Sequence, residues 1–167
     1  MVLITLISLG TILWQEDFNR GVGNFAQLHE YEVKIEHKDG RVLFKGNPQF
    51  EGFSSAWMFI DDEIEFTKDD ILRIRIKVND NKVRLRYFYL TEEGRVYHAG
   101  QEYISRSENW QVITIPFVCA KPFYSSNFPW ALTPKKKTPF FLFIENGLPG
   151  NFEVEIDQIT ISRLEEE

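Results

Sequence analysis

Two pairs of adjacent acidic residues are the first candidates for chemistry in this sequence. The pairs are Asp61-Asp62 and Asp69-Asp70, and two carboxylates can hydrolyse a glycosidic bond as general acid and nucleophile. A general acid needs apolar surroundings that raise its pKa, whereas both pairs lie in polar segments that separate apolar runs. We therefore expect solvated turn residues at both places.

Other catalytic patterns are missing from the sequence. His29, His37 and His98 do not have the spacing of metal ligands, and the chain carries no Gly-x-Ser-x-Gly elbow, phosphate-cradling glycine loop or Cys-x-x-Cys pair. The sequence therefore predicts a protein that is not an enzyme.

One further acid, Asp157, lies inside a predicted strand rather than in a turn. Apolar residues alternate along residues 149–161, and the alternation breaks around Asp157. Such a break predicts a strand with an irregularity near a sheet edge. Asp157 is either part of a binding site or a solvated acid in an edge strand.

Short strands and turns alternate through the chain, without a convincing helix. Residues 38–40 contain a glycine and predict a hairpin between strands at 32–37 and 41–45. In residues 71–78, apolar side chains alternate with Arg and Lys, so one face of this strand is expected to point inward.

The second half of the chain continues the pattern. Residues 79–81 predict a second hairpin, between 71–78 and 83–90, and residues 140–144 are apolar on both faces, as in a central strand. Many short strands at intervals of about 8 to 12 residues indicate an antiparallel sandwich.

Length and composition agree with one folded domain. The chain has 167 residues, of which 43% are hydrophobic and 26% charged. Aromatic residues reach 15%, more than a sandwich core requires, so we expect some of them to be exposed. The net charge of −6 gives a nucleic acid no general electrostatic reason to bind. The single Cys119 is expected to be a small buried hydrophobe.

The N-terminus allows three interpretations. Residues 1–14 are almost wholly apolar and too short to span a bilayer. They are a signal remnant without the positive n-region, an ordered first strand, or an artefact of the start site. Accordingly, we assign residues 1–11 to a signal remnant or strand extension, and residues 12–164 to a single domain.

Five segments, in this order along the chain, carry a resemblance to a known family. They are the Trp-Gln-Glu-Asp-Phe of residues 14–18, Gly52-Phe53, residues 71–90, the Trp-Gln-Val-Ile-Thr-Ile-Pro-Phe of residues 110–117, and residues 152–159. Together they resemble the jelly-roll carbohydrate-binding modules, and most of all the mixed-linkage-glucan-binding modules of bacterial plant-wall hydrolases and the related complex I assembly-factor domain. The resemblance implies an all-β, antiparallel jelly-roll sandwich of the galactose-binding-domain-like type.

The resemblance also implies a structural calcium ion that links the first strand to the last. The matching positions are Glu16, Asp17 and Asp157, with backbone carbonyls of residues 45–47 as further ligands. Calcium takes about six to eight oxygen ligands, which two or three carboxylates and carbonyls can supply. The alternative is that these are edge acids without a metal.

In the relatives, a concave sheet face binds the sugar, and the strand after the Gly-aromatic turn supplies alternate residues to it. Carried over, this strand would present Ser55 together with three aromatic residues, while Ala56, Met58 and Ile60 point inward. The implied carbohydrate-binding residues are Phe53, Trp57, Phe59, Arg75, Arg86, Lys121, Tyr124, Trp130 and Glu145. The alternatives are core packing for the aromatic residues and solvated surface charge for the two arginines.

The sequence and the resemblance together predict a module that binds a polysaccharide or oligosaccharide without catalysis. The leading alternative is a protein-interaction or assembly module of the same fold, and a third is a small glycan-active enzyme that uses the acid pairs. We expect no nucleic-acid partner and no membrane span. The implied location is secreted, periplasmic or on the cell surface.

Overall fold

Two antiparallel β-sheets make up the described part of the chain. A computed structural model describes residues 10–27, 33–52, 55–60, 64–91, 96–123 and 139–163. A short 3₁₀ turn, Phe117–Cys119, is the one helical segment among these residues. The strands are β1 (Thr11–Glu16), β2 (Ala26–Gln27), β3 (Lys34–Lys38), β4 (Arg41–Gly46), β5 (Ser55–Ile60), β6 (Asp70–Asp80), β7 (Lys82–Leu90), β8 (Tyr97–Ser105), β9 (Gln111–Pro116), β10 (Lys121–Phe123), β11 (Phe140–Asn146) and β12 (Phe152–Arg163).

The strands divide equally between the sheets. The first sheet has the order β3-β4-β12-β6-β9, and β1 also pairs with β12; the second has the order β10-β8-β7-β11-β5-β2. Neighbouring strands are antiparallel throughout. The predicted antiparallel sandwich is thus confirmed, as is the central position of β11, between β7 and β5.

Alternating apolar side chains of both sheets form the core between them. On β6, Leu72, Ile74, Ile76 and Val78 are fully buried, which confirms the inward face expected from the sequence. Removing one such side chain typically costs about 2 to 5 kcal/mol, because it loses apolar burial and leaves a cavity. The core therefore fixes which face of each strand points outward.

The first predicted hairpin is confirmed and the second is wrong. β3 and β4 pair across the turn at Asp39 and Gly40. β6 and β7, however, lie in different sheets, and the chain crosses between them at Asn81, which has a φ of 68°. The Asn81 side chain donates to Leu148 O at 2.8 Å and so ties this crossover to the loop before β12.

The last strand has its irregularity where the sequence predicted it, but not at a sheet edge. β12 pairs with β6 on one side and with β4 and β1 on the other, so it is central. Its register with β6 shifts between Ile156 and Gln158. Asp157 is therefore the extra residue of a β-bulge in the middle of the first sheet.

The N-terminal assignment stays a prediction, because residues 1–9 lie outside the described residues. The first strand begins at Thr11 and pairs with the end of β12. The pairing of first and last strands that the calcium prediction assumed is thus present. Across the described ranges, we find no helix long and apolar enough to cross a membrane.

Candidate functional site

The outward face of the second sheet is rich in aromatic residues, and we call it the aromatic face. On β5, Ala56, Met58 and Ile60 are fully buried in the core. Trp57 and Phe59 alternate with them and pack into a separate cluster on the other side of the sheet. The predicted faces of this strand are therefore confirmed.

A buried layer of four rings supports the aromatic face. Phe88, Tyr97, Phe141 and Phe143 are at most 3% exposed, although they point away from the main core. Trp57 and Phe59 pack on this layer and are partly exposed. Their ring centroids are 5.3 Å apart at 27° to each other, and the Trp57 ring lies 6.1 Å from that of Phe141. The two rings are thus held in a fixed orientation with part of their surface open.

A network of charged groups lies beside the rings. Glu145 is 2% exposed; its Oε2 accepts hydrogen bonds from Arg84 Nε at 2.7 Å and from Arg86 Nε at 2.9 Å. Arg86 Nη2 bonds the other carboxylate oxygen. Arg84 Nη1 also donates to Glu51 Oε1 at 3.0 Å, an oxygen that accepts from Tyr103 Oη at 2.9 Å. One buried carboxylate therefore orients two guanidinium groups.

Neighbouring groups affect the pKa of Arg84 and the orientation of Arg86. Burial would lower the pKa of Arg84, but the adjacent Glu145 carboxylate outweighs this effect, so the pKa of Arg84 is raised. The Arg86 guanidinium lies over the Phe143 ring, 5.2 Å from its centroid, and its side chain is 36% exposed. Arg86 is the charged group that both touches the rings and remains open to a ligand.

Strand register arranges these groups in rows across the sheet. One row runs from Ala99 through Phe88 and Phe141 to Phe59, and the next from Gln101 through Arg86 and Phe143 to Trp57. A third row contains Tyr103, Arg84 and Glu145. The face is therefore apolar at one end and hydrogen-bonding at the other, with Trp57 and Arg86 in the row between.

The structure gathers some of the predicted binding residues and separates others. Trp57, Phe59, Arg86 and Glu145 share the aromatic face, and Lys121 is exposed at its edge, opposite Ala99. Glu145 is too buried to offer a ligand a large contact surface. It instead orients the two arginines. Phe53, Tyr124 and Trp130 lie outside the described residues.

The predicted position of Arg75 is wrong, because this residue does not lie on the aromatic face. It belongs to β6 in the first sheet, where its guanidinium bonds Asp157 and covers the Trp110 ring at 5.1 Å. The prediction failed because it assumed a β6–β7 hairpin, in which Arg75 and Arg86 would share one sheet.

Sequence reasoning missed Arg84, Tyr103 and Phe143. Arg84 is two residues from Arg86 on the same strand, and the period of two that selected Arg86 also places Arg84 outward. Phe143 follows from the same period on β11. Tyr103 could not be found this way, because its contact with Glu51 depends on the pairing of β8 with β7 and on a separate loop.

The acids predicted to bind calcium have other partners. Glu16 Oε1 accepts from Phe18 N at 2.8 Å, and Asp17 Oδ1 accepts from Asn19 N at 3.1 Å. Asp157 Oδ2 bonds Arg75, whereas its Oδ1 is buried without a hydrogen-bond partner among the described residues. Within those same residues, no three His, Cys, Asp or Glu side chains are grouped to hold a metal ion.

Of the predicted calcium ligands, Asp157 Oδ1 is the buried oxygen without a partner among the described residues, and calcium binding stays a prediction. Burial raises the pKa of the Asp157 carboxyl, and the nearby Arg75 lowers it by less. An unpartnered, buried carboxylate oxygen is costly unless a cation, a water or a proton satisfies it.

One of the acid pairs differs from its predicted state. Asp70 is fully buried rather than solvated. Arg163 Nε donates to its Oδ1 at 2.8 Å, and Thr67 N donates to its Oδ2 at 2.7 Å. Asp69 is exposed, as expected, and Asp61 and Asp62 lie outside the described residues. Asp70 thus closes the turn before β6 and anchors the end of β12.

Comparison with known proteins gives matches of structure alone. No family model and no curated protein sequence matches the chain. The structure resembles the family 11 carbohydrate-binding module from Clostridium thermocellum in complex with a β-1,3-1,4-mixed-linked tetrasaccharide, with a TM-score of 0.58 and 16% identity over 92% of this chain and 96% of that one.

Two further modules superpose over similar lengths. The apo BiXyn10A CBM1 has a TM-score of 0.58 and 14% identity, covering 92% of this chain and 99% of its own. The C-terminal family 22 module of Clostridium thermocellum Xyn10B has a TM-score of 0.55 and 9% identity, covering 93% of this chain and 96% of its own. This chain has the jelly-roll fold of the carbohydrate-binding modules. At such low identity the likeness establishes the fold and leaves the ligand to be argued from the site.

Proposed function

We propose that the aromatic face binds a polysaccharide or oligosaccharide without cleaving it. The observation that carries the proposal is the half-open Trp57 and Phe59 pair directly beside the network of Arg84, Arg86 and Glu145. A pyranose ring presents C–H groups on its faces and hydroxyls around its edge. The aromatic face offers a surface for each, in adjacent rows of one sheet.

The physical chemistry of such a contact sets its strength. Aromatic rings add apolar contact area, and arginine forks donate two hydrogen bonds in a fixed plane. Glu145 holds both guanidinium groups in place before a ligand arrives, which reduces the entropy lost on binding. We expect a Kd on the order of 10 to 100 μM, or roughly −5.5 to −7 kcal/mol, because a shallow face buries little of the ligand and the glycan must be ordered.

The structural neighbours support the ligand class. The family 11 module named above was solved with a mixed-linked tetrasaccharide. A further neighbour, the N-terminal part of Clostridium thermocellum Xyn10B with a family 22 module and its xylanase module, was solved as a whole with xylohexaose. Their ligands differ, so they support carbohydrate in general rather than one glycan. Binding to an extended glycan is also consistent with a secreted, periplasmic or cell-surface location.

A protein-binding surface is the competing interpretation, and the aromatic face argues against it. The core of a protein interface is depleted of Glu, Asp and Lys, although Arg and aromatic residues are enriched there. Here two arginines and two glutamates form a hydrogen-bonded network in rows that continue into the rings. Polar groups interleaved with rings suit a hydroxylated ligand better.

Affinity electrophoresis in gels that contain mixed-linkage glucan, xylan or mannan tests the proposal. The protein should be retarded by at least one of them, and Trp57→Ala should migrate as in a gel without polysaccharide. Val112→Ala is a matched control, because Val112 is 62% exposed on β9 of the first sheet. If none of these polysaccharides, nor a broad glycan array, retains the protein, the proposal is wrong.

A further inference from the structure

A cavity at one end of the sandwich lies apart from the aromatic face. Its volume is about 540 Å³, within the range of roughly 300 to 1,000 Å³ typical of small-molecule sites. Three parts of the chain line it. They are the turn before β6, the end of β7 together with the paired start of β8, and the stretch from the 3₁₀ turn into β10. Its residues from β7 and β8, Tyr89 and His98, form a pair in the register of these two strands.

One wall of the cavity is apolar and partly aromatic. Tyr89 belongs to the main core, and its ring stacks on the ring of Phe117 at 4.5 Å. Its hydroxyl donates to Phe117 O at 3.2 Å, and burial raises the pKa of Tyr89 to about 12, so this donor remains protonated. The wall is therefore rigid. Its apolar members are Phe66, Tyr89, Val118, Ala120 and Pro122.

The polar lining includes His98, whose side chain is partly exposed. The His98 ring stacks on Tyr89, with centroids 5.3 Å apart at 20°, and its Nδ1 is buried without a hydrogen-bond partner in the described part of the chain. This nitrogen is closed to solvent, so the exposed remainder of the imidazole is the part that a molecule in the cavity can contact. The other polar members of the lining are Thr67, Lys68, Asp69 and Thr91.

Charge narrows the class of ligand. Lys68 and Asp69 are adjacent and both exposed at the cavity, so their opposite charges offset each other. The cavity therefore attracts neither strong anions nor strong cations. Hydroxyl and imidazole groups next to an aromatic wall suit a neutral molecule with both hydroxyls and an apolar face.

From this geometry we infer that the cavity is a second binding site, for one or two units of a neutral sugar. The His98 imidazole hydrogen-bonds a sugar hydroxyl, and the ring packs against the wall of Phe66 and Tyr89. The cavity is an open pocket bounded on three sides, so it takes the one or two units at the end of a glycan chain, whereas the flatter aromatic face takes internal units. The inference concerns a site that does not share residues with the aromatic face.

Titration by two-dimensional amide NMR tests the inference with cellobiose as the probe. Cellobiose should shift the amide signals of Thr67, Asp69, His98 and Ala120 in the unmodified protein. It should shift them equally in Trp57→Ala, because Trp57 does not line the cavity. This arm keeps the second site distinguishable from the aromatic face, whichever of the two fails.

Two variants probe the cavity itself. His98→Phe keeps a ring to stack on Tyr89 but removes the imidazole nitrogens, and should weaken cellobiose binding about tenfold or more, the ratio that corresponds to about 1.4 kcal/mol. Val118→Trp should narrow the opening and abolish the shifts; Val118 is 63% exposed, so the fold should tolerate the change.

Three results would overturn the inference. The first is no shift at these residues up to about 50 mM cellobiose, well above the millimolar Kd of a weak single-sugar site. The second is an unchanged response in both variants when their spectra show folded protein. The third is binding of glucuronate or glucosamine in preference to cellobiose, which would contradict the neutral class.

Discussion

Trp57 is the residue on which the proposed function depends most. It is partly exposed, it stacks with Phe59, and it shares a row of the sheet with Arg86. Trp57→Ala should weaken glycan binding by about 1 to 3 kcal/mol, because one stacking ring carries a large share of a modest total. The protein should remain folded, since the ring does not enter the main core, where loss of a Trp would cost about 3 to 5 kcal/mol.

Calorimetric titration together with thermal melting separates these outcomes. The measurement compares the affinity per folded molecule and the melting temperature of Trp57→Ala with those of the unmodified protein. A sharp drop in melting temperature with unchanged affinity would place Trp57 among the structural residues and remove it from the site.

Glu145 is expected to act through the arginines rather than on the ligand. Glu145→Gln removes the charge but keeps the size, and should leave two guanidinium groups sharing one neutral acceptor. We expect a loss of stability of about 1 to 3 kcal/mol, less than for a fully buried ion pair, because both arginines are partly exposed.

The glycan affinity of Glu145→Gln shows whether Glu145 positions the arginines for binding or only stabilises the fold. The affinity for glycan should fall at a temperature where the variant is fully folded, and Arg86→Lys should reproduce the fall, because lysine cannot form the planar fork. Equal affinity in all three proteins would mean that the arginines do not meet the ligand.

At the scale of the strand, the bulge in β12 lies between the part that pairs with β4 and the part that pairs with β1. Asp157 has one oxygen on Arg75 and one without a partner in the described residues. If calcium occupies this place, it stabilises the folded state by RT ln(1 + [L]/Kd), about 2.7 kcal/mol at a hundredfold excess over Kd. EDTA should then lower the melting temperature, and added calcium should restore it. An unchanged melting temperature and no calcium by elemental analysis would show that calcium does not bind at Asp157.

The pH dependence of stability gives a second readout of the same bulge. Burial raises the pKa of Asp157 above its ordinary value of 3.8, so the folded state holds this proton more tightly than the unfolded state. The stability contributed by the protonated carboxyl is present below the unfolded pKa and is lost as the pH rises through the folded pKa. In chelated protein, Asp157→Asn should therefore lack this loss. Unfolding by urea at pH 3, 5 and 7 measures it. Parallel curves for the two proteins would contradict the raised pKa.

Strand faces were predictable from the sequence, whereas strand partners were predictable only in part: the β3–β4 hairpin is present and the β6–β7 hairpin is not. The alternation in β5 and β6 is local, and it correctly placed Trp57, Phe59 and the buried residues between them. Yet an alternating pattern in two successive strands fits a hairpin and a crossover between sheets equally well, because both bury the same residues. Arg75 and Arg86 look equivalent in sequence for this reason, and only the pairing separates them.

Cys119 shows that local sequence patterns also fail where the two-residue period of a strand ends. It follows an apolar run and was expected to be buried, but it is exposed. The run ends in a 3₁₀ turn, where successive side chains no longer alternate between two faces. The prediction for Asp70 is wrong in the opposite sense, because Asp70 was expected to be solvated and is buried. Its carboxylate is bonded to Arg163, 93 residues away, and no local sequence pattern predicts such a contact.

For the whole molecule, the distribution of carboxylates explains why we expect binding without hydrolysis. Glycoside hydrolysis needs one carboxyl that is protonated near the working pH, opposite a second one that is ionised. On the aromatic face, Glu145 is bonded to two arginines. Asp70 is bonded to Arg163. Among the described residues, the carboxyl whose pKa burial raises is Asp157, and it lies in the opposite sheet from the rings.

We therefore predict that the protein releases no reducing sugar from glucan, xylan or mannan over a prolonged incubation, even when the polysaccharide is bound. The assay includes a known hydrolase as a positive control and heated protein as a blank. Asp69→Asn is the informative variant among the described acids, because Asp69 is exposed and its loss should not unfold the chain; Asp61→Asn covers the other pair. Sugar release that disappears in either variant would make the protein an enzyme. Release that persists in both would point to a contaminating hydrolase, which a second purification removes.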